Sequence, residues 1–187
     1  MALKHANRWA HVDVQCLPAE LHNRPERIVP AVREQIRAHR SEYNTIFIAY
    51  ADCGTGGMLD RLLREEGLER LPGAHCYEFF AGSERFAQLQ EAEPGTFYLT
   101  DFLVRHFERL VTRGLGLDRH PELAGEYFRH YRRLVYLAQR PAASPPTNGN
   151  PAAAEAQARQ IAERLGLEFE YRFTGYGELG SRLSALA

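Results

Sequence analysis

The sequence predicts an α/β fold, with an open, mostly parallel sheet and helices on both of its faces. Segments with strand-like and helix-like periodicity alternate along the chain, which is typical of parallel strands joined by crossover helices. The run "TIFIAYA" (residues 45–51) is almost wholly apolar, as in a parallel strand buried on both faces. With 187 residues, the chain is long enough for one ordinary domain with a sizeable core, which we place over 1–187.

Residue spacing and turn residues predict the individual elements. Val12, Val14 and Cys16 alternate with polar residues in "HVDVQCL", which predicts a strand with Cys16 in the core. The segment "NRPERIVPAVREQIRAHR" predicts a helix capped by Asn23. Other predicted strands are "LERLP", "TFYLT", "RLVYLAQ" and "LEFEYRF". Other predicted helices follow "DCGTGG" and caps at Ser83 and Asp101, and an Ala-rich helix carries Ala154, Ala158, Ile161 and Leu165. The stretch "RPAASPPTNGNP" predicts a flexible loop around residues 140–151.

Composition and charge narrow the classes of function. Lys and Arg total 23 against 24 Asp and Glu, so the net charge of -1 gives no overall attraction to nucleic acid or to anionic membranes. The longest apolar run is too short to span a membrane, and the first residues do not resemble a signal peptide. An odd number of cysteines, three, without a regular spacing is typical of reduced thiols in the cytoplasm. Each cysteine is therefore expected to be a core residue, a ligand or a nucleophile.

The segment "DCGTGG" (residues 52–57) is the strongest candidate for a functional loop. It joins an apolar strand to a helix, and ligands of parallel α/β sheets bind at such carboxyl-terminal loops. Gly54, Gly56 and Gly57 allow positive φ angles and close approach of a ligand, so we predict that they bind it together with Asp52. Cys53 lies before the positive end of the next helix, which favours its thiolate.

Two other predicted loops lie at the same rim of the sheet. His22, Asn23 and Arg24 follow the first predicted strand, and we expect them to add polar contacts to a ligand. His75 and Cys76 follow the strand "LERLP".

Thiolate and imidazole groups at one rim indicate a metal site. They are the ligands that a borderline-soft transition metal such as zinc or iron selects. The hypothesis is that Cys53, His75 and Cys76 bind the ion and leave one tetrahedral position open.

Simpler interpretations of these residues remain open. Cys76 suits a small core position, His75 a helix cap and Cys53 a turn. Cys53 and His75 also suit a nucleophile and its base, although the sequence identifies no third, orienting residue. A dinucleotide site is a weak hypothesis because Leu59 stands where Gly-x-Gly-x-x-Gly needs its last glycine.

Four motifs resemble a bacterial and archaeal family catalogued as domain of unknown function 1638. They are "LPAELHNRPERIVPAVREQI", "IAYADCGTGG", "GAHCYEFFAGSERF" and "EAEPGTFYLTDFLVRHFERLV", in the same order as in the family. Members are often encoded near corrinoid-dependent methyltransferases, corrinoid-binding proteins and their activators. The resemblance implies an accessory role in corrinoid methyl transfer and one-carbon metabolism, with a corrinoid protein or methyltransferase subunits as partners that bring the corrinoid. The alternatives are a metal-dependent methyltransferase that activates a thiol substrate, and a non-catalytic binding module.

The chain departs from the family pattern in two places. Relatives usually begin with an extra strand ending in Ala-Cys-Gly, whereas Met1 here opens into "ALKHANRW", which resembles the helix after that strand. Either the true start lies upstream of Met1, or the chain lacks that strand and a fourth thiolate. The second case would leave an open metal position and an uncovered sheet edge or helix face, which favours a homo-oligomer. Many relatives also read His-Asp-Cys where this chain has the adjacent pair His75-Cys76.

Overall fold

Helices and parallel strands alternate in the computed structural model, which describes residue 7, residues 9–144 and residues 150–186. The α-helices are α1 (Ile28–His39), α2 (Met58–Glu66), α3 (Cys76–Ala81), α4 (Ser83–Ala92), α5 (Asp101–Phe107), α6 (Ala124–Phe128), α7 (Pro151–Leu165) and α8 (Gly177–Leu186). The strands are β1 (Phe47–Ile48), β2 (Glu69–Arg70), β3 (Thr96–Thr100), β4 (Arg133–Ala138) and β5 (Glu168–Phe173). Short 3-10 helices lie at Ala19–Asn23, Pro25–Arg27 and Pro121–Leu123, and a π-helix lies at Glu108–Thr112.

The strand pairs of the described residues are all parallel, which confirms the predicted α/β fold. They form two small sheets, one of β1 and β2 and one in the order β3-β4-β5. In residues 9–144 and 150–186, no helix is both long enough and apolar enough to cross a membrane. Of the loop predicted around 140–151, residues 145–149 lie outside the described part of the chain.

The β3-β4-β5 sheet carries helices on both faces. Leu134, Tyr136 and Ala138 of β4 pack into a cluster with side chains of α5 and α7. Val135 and Leu137, which point to the other face, pack with side chains of α4. The central strand is therefore buried on both sides, as the apolar run "RLVYLAQ" requires of a parallel strand.

The β1-β2 sheet is smaller and is also packed on two sides. One cluster joins α1 and α2, with Ile36 and Leu59 among its buried side chains. A second cluster contains Ala51, Leu71 and Phe79 of α3, with Leu179 of α8 packed against it. Cys53, in the loop after β1, packs against both clusters, and Cys76, after β2, packs against the second.

Two predicted strands differ from the structure. Within "TIFIAYA" only Phe47–Ile48 forms a strand, and it is half-buried because β2 is its one neighbour among the described residues. The stretch 12–17 does not form a strand, and Cys16 is exposed, so the prediction of a core cysteine is wrong. Alternation alone does not make a strand where no neighbouring strand supplies backbone partners.

Two predicted caps also differ. Asn23 lies inside the first 3-10 helix, and its Nδ2 donates to the carbonyl of Leu110 on the π-helix, at 2.6 Å. At α5 the hydroxyl of Thr100 accepts from the N–H of Leu103, and Asp101 is the first helical residue. A contact distant in sequence thus positions Asn23, whereas the cap of α5 lies one residue before the predicted one.

Candidate functional site

The loops after β1 and β2 lie side by side at the carboxyl edge of their sheet. Beyond the strands, the N–H of Asp52 donates to the carbonyl of Gly73 at 3.1 Å, and that of Cys53 donates to Ala74 at 2.9 Å. Cys76 follows two residues later as the first residue of α3. The prediction that Cys53 and Cys76 meet at one rim is thus confirmed.

Asp52 shapes the glycine loop from within. Its Oδ1 accepts from the hydroxyl of Thr55 at 2.6 Å and from the N–H of Gly57 at 2.9 Å, while Oδ2 accepts from the N–H of Gly56 at 3.1 Å. Partial desolvation raises the pKa of this carboxyl, but these three hydrogen bonds outweigh it and hold the pKa below its ordinary value. The carboxylate that we predicted as a ligand contact is thus engaged by its own loop.

The glycine loop has a strained backbone. The φ angles of Gly54, Gly56 and Gly57 are 82°, 62° and 79°. These are the positive values that the sequence predicts for the three glycines. Cys53 itself adopts a φ of 49°, which is uncommon for a residue with a side chain. A Cβ on Gly54 would touch Pro25 at 3.4 Å, whereas no described atom lies within 4 Å of a Cβ on Gly56 or Gly57. The loop is therefore open toward solvent at its second half.

Cys53 and Cys76 form a hydrogen-bonded thiol pair. The Cys76 thiol donates to the Cys53 sulfur, and this bond lowers the pKa of Cys53 to about 7 against the opposing effects of burial and of the Asp52 charge. Backbone hydrogen bonds from Cys76 and Ala51 act in the same direction. The bond to Cys53, followed by burial, raises the pKa of Cys76 well above 9.0. As pH rises, Cys53 therefore loses its proton before Cys76 does.

The largest cause of the low Cys53 pKa is one that the sequence did not indicate. The sequence suggested that the positive end of α2 stabilises the thiolate. In the structure, Gly56 and Gly57, just before α2, donate their N–H groups to Asp52, whose charge raises the pKa of Cys53. The hydrogen bond from the Cys76 thiol is the largest cause of the lowered pKa of Cys53, and the effect of the helix end stays a prediction.

His75 does not complete a metal site in the structure. It is exposed, in an extended conformation directly before α3. Within the described residues, no three His, Cys, Asp or Glu side chains are grouped closely enough to hold a metal ion. The structure therefore brings two of the three predicted metal ligands together, and the metal site itself stays a prediction.

One family model matches most of the chain. The family model described as "Protein of unknown function (DUF1638)" matches residues 16–183. The chain belongs to this family. No curated protein and no solved structure matches the chain. The family match begins at Cys16, so it spans all three cysteines.

His22, Asn23 and Arg24, which were predicted to contact a ligand together, each have different surroundings. Pro25, which follows them, faces Gly54, so the segment borders the glycine loop. Asn23, however, is bonded to Leu110, and Arg24 lies 4.0 Å from Glu26 in an exposed ion pair. Desolvation lowers the pKa of His22, which favours its neutral ring near pH 7. The Asn23 amide thus ties the first 3-10 helix to the π-helix, and its role as a ligand contact stays a prediction.

Tyr50 is a further residue of the site that the sequence patterns did not indicate, and it packs with Cys53 against the cluster between α1 and α2. Burial, followed by the charges of Cys53, Cys76 and Cys16, raises the pKa of Tyr50 to about 12. The only signal in the sequence was an aromatic residue at the end of the apolar run, beside "DCGTGG".

Arg70 was also missed, and it holds the second loop. Its guanidinium binds both carboxylate oxygens of Asp60 in α2, at 2.6 and 3.0 Å. The same group donates to the carbonyls of Leu71 and Gly73, at 2.5 and 3.2 Å. Arg70 therefore ties the segment that leads to Cys76 to the helix that follows Cys53.

Proposed function

We propose that this DUF1638 protein binds a transition-metal ion or a metallo-cofactor through Cys53 and Cys76, as a cytoplasmic accessory protein of corrinoid-dependent methyl transfer in one-carbon metabolism. The observation that supports it most is the thiol pair at the carboxyl edge of a parallel sheet, with the pKa of Cys53 lowered to about 7. A cysteine binds a metal ion as its thiolate. A thiol with a lowered pKa therefore gives up its proton to metal binding at neutral pH at a smaller cost in free energy.

Two adjacent sulfurs fit half of a tetrahedral zinc or iron site. The described residues gather no third ligand around them, and His75 is exposed. The remaining positions would be filled by groups from outside the site, such as a thiol substrate or a side chain of a corrinoid protein or methyltransferase subunit. A bound zinc ion would favour the thiolate form of an incoming thiol.

The partners in this proposal follow from the family resemblance. The corrinoid would be carried by a partner protein that docks near the thiol pair. A homo-oligomer is part of the same proposal, because the outer edge of β1 pairs with no other strand of the described residues. Size measurement in solution, with and without a partner, tests both associations.

Elemental analysis of protein purified without added metal tests the binding site. Wild type should hold close to one equivalent of zinc or iron, and Cys53→Ser and Cys76→Ser should lose most of it while keeping their thermal melts. Cys16→Ser is the matched control, because this exposed cysteine lies outside the pair. His75→Ala shows whether the histidine moves in as a third ligand. Full metal in Cys53→Ser, or none in wild type, contradicts the proposal.

A second candidate function is that of a methyltransferase proper. The open metal positions favour it, since a substrate thiol has room to coordinate. Thiol-dependent demethylation of methylcobalamin separates the two functions. An accessory protein should leave the rate unchanged when it is the sole protein added, whereas an enzyme should accelerate it in proportion to its concentration.

A further inference from the structure

We propose that Cys53 and Cys76 are also a site of thiol–disulfide exchange, which low-molecular-weight disulfides such as glutathione disulfide convert reversibly into an intramolecular disulfide. The inference depends on the proposed function for its consequence, since a disulfide cannot supply the two thiolates that the metal needs. The exchange itself requires only the metal-free protein.

The placement of the two sulfurs is the first argument. The side chains of Cys53 and Cys76 both pack against the cluster of Ala51, Leu71 and Phe79, which places the two sulfurs on neighbouring loops at one site. The backbone hydrogen bond from Cys53 to Ala74, at 2.9 Å, holds the two loops together. The two loops are therefore already adjacent before a disulfide forms between Cys53 and Cys76.

The accessibility of the pair is the second argument. Cys53 is partly exposed, and the residues beside it include the exposed Gly54 and Gly56, which carry no side chains to block an approaching disulfide. Cys76 is also partly exposed and packs against the same cluster as Cys53, but it lies at the start of α3 and has no glycine beside it. Cys53 is thus placed as the attacking thiol and Cys76 as the resolving one.

The exchange balances in two steps. The Cys53 thiolate attacks one sulfur of the small disulfide RSSR, a protein–SR bond forms, the S–S bond breaks, and the leaving RS⁻ takes a proton from solvent. Cys76 then releases its proton to solvent and attacks the Cys53 sulfur, which expels the second RS⁻. The protein loses two thiols and two electrons, and RSSR becomes two RSH.

The experiment uses reduced protein freed of metal by a chelator and equilibrated with glutathione and glutathione disulfide. Thiols are trapped with acid and counted by maleimide labelling and peptide mass. Wild type should lose two of its three free thiols and yield a peptide that joins Cys53 to Cys76. Cys16→Ser should form the same link and retain no free thiol. Cys76→Ser should stop at a glutathione adduct on Cys53, and Cys53→Ser should keep Cys76 unmodified.

Three outcomes overturn the inference: a stable glutathione adduct on wild type, a disulfide that contains Cys16, or three thiols that stay free under oxidising conditions. Adding zinc to the oxidised and reduced forms separates this inference from the proposed function. If the disulfide forms but the reduced protein binds no zinc, the exchange stands and the metal proposal fails. If the reduced protein binds zinc and no disulfide forms, the reverse holds.

Discussion

The two sheets of the protein differ in length, burial and backbone strain. The β3-β4-β5 sheet has five and six paired positions in its two ladders, and residues 134–138 of its central strand are buried. The β1-β2 sheet has two paired positions, and β1 is half-buried. Left-handed backbone angles gather beside the smaller sheet, at Cys53 and the three glycines that follow it. The longer sheet contributes more buried packing to the stability of the fold. The shorter sheet carries the loops that hold the reactive thiols.

One aspartate in each region shows the same difference. Asp101, after β3, accepts from the hydroxyl of Tyr136 at 2.7 Å and from the N–H of Gln139 at 3.1 Å, so it joins two strands. Asp52, in the loop after β1, accepts from donors of its own loop. One carboxylate connects elements, and the other shapes a single turn next to a reactive thiol.

The largest expected effect is the loss of core packing in the long sheet. Leu137 is 0% exposed, so Leu137→Ala should lower the free energy of unfolding by about 2–5 kcal/mol. Leu123→Ala is the control, because Leu123 is 39% exposed and should change this energy by about 0.5 kcal/mol or less. Urea denaturation measures both. Equal effects of the two variants would show that β4 does not carry the stability of the fold.

Gly57 tests the strain of the thiol loop. Gly57→Ala should lower the stability by about 1–2 kcal/mol because its φ of 79° is costly for a residue with a Cβ. The control is Gly125→Ala in α6, which has comparable open space around its Cβ and should raise stability by up to about 1 kcal/mol. Thermal melts of both variants check the prediction, and a Gly57→Ala protein as stable as wild type would contradict it.

The two aspartates should separate stability from thiol chemistry. Asp52→Asn and Asp101→Asn should each cost about 1 kcal/mol, because an amide keeps one acceptor oxygen but loses the charge. Only Asp52→Asn should also lower the pKa of Cys53, since the Asp52 charge raises it. The pH dependence of alkylation by iodoacetamide measures this shift. A similar shift in Asp101→Asn would mean that the two regions are not independent.

The thiol pair should give the smallest effect, a pH-dependent stability. The folded pKa of Cys53 is lowered to about 7, so its contribution is fully present above the unfolded pKa of 9.0 and is lost as pH falls through 7. The folded pKa of Cys76 is raised, so stability falls again as pH rises above 9.0. The rise between pH 7 and 9 should be on the order of 1 kcal/mol, given partial solvent exposure.

Denaturation at several pH values, compared between wild type and Cys53→Ser, isolates this contribution. The rise between pH 7 and 9 should disappear in the variant. Cys76→Ala should move the alkylation profile of Cys53 toward higher pH, because it removes the hydrogen bond that lowers the pKa most. A profile unchanged in Cys76→Ala would show that the thiols do not interact in solution.

The sequence by itself determined the class of fold and the meeting of Cys53 with Cys76. Both follow from short-range patterns: apolar runs indicate parallel strands, and the loops after adjacent parallel strands meet at one edge. "RLVYLAQ" was predicted correctly because burial on both faces leaves its own mark on composition.

The tertiary structure alone decided the remainder of the site. Cys16 is exposed, and Asn23 bonds to a carbonyl 87 residues away, which no local spacing encodes. The pKa of Cys53 depends on two groups that packing brings beside it. The Cys76 thiol lowers this pKa, and the charge of Asp52 raises it. Local periodicity reports which face of an element is buried, but a pKa or a hydrogen-bond partner depends on atoms that only the folded chain brings within a few ångströms.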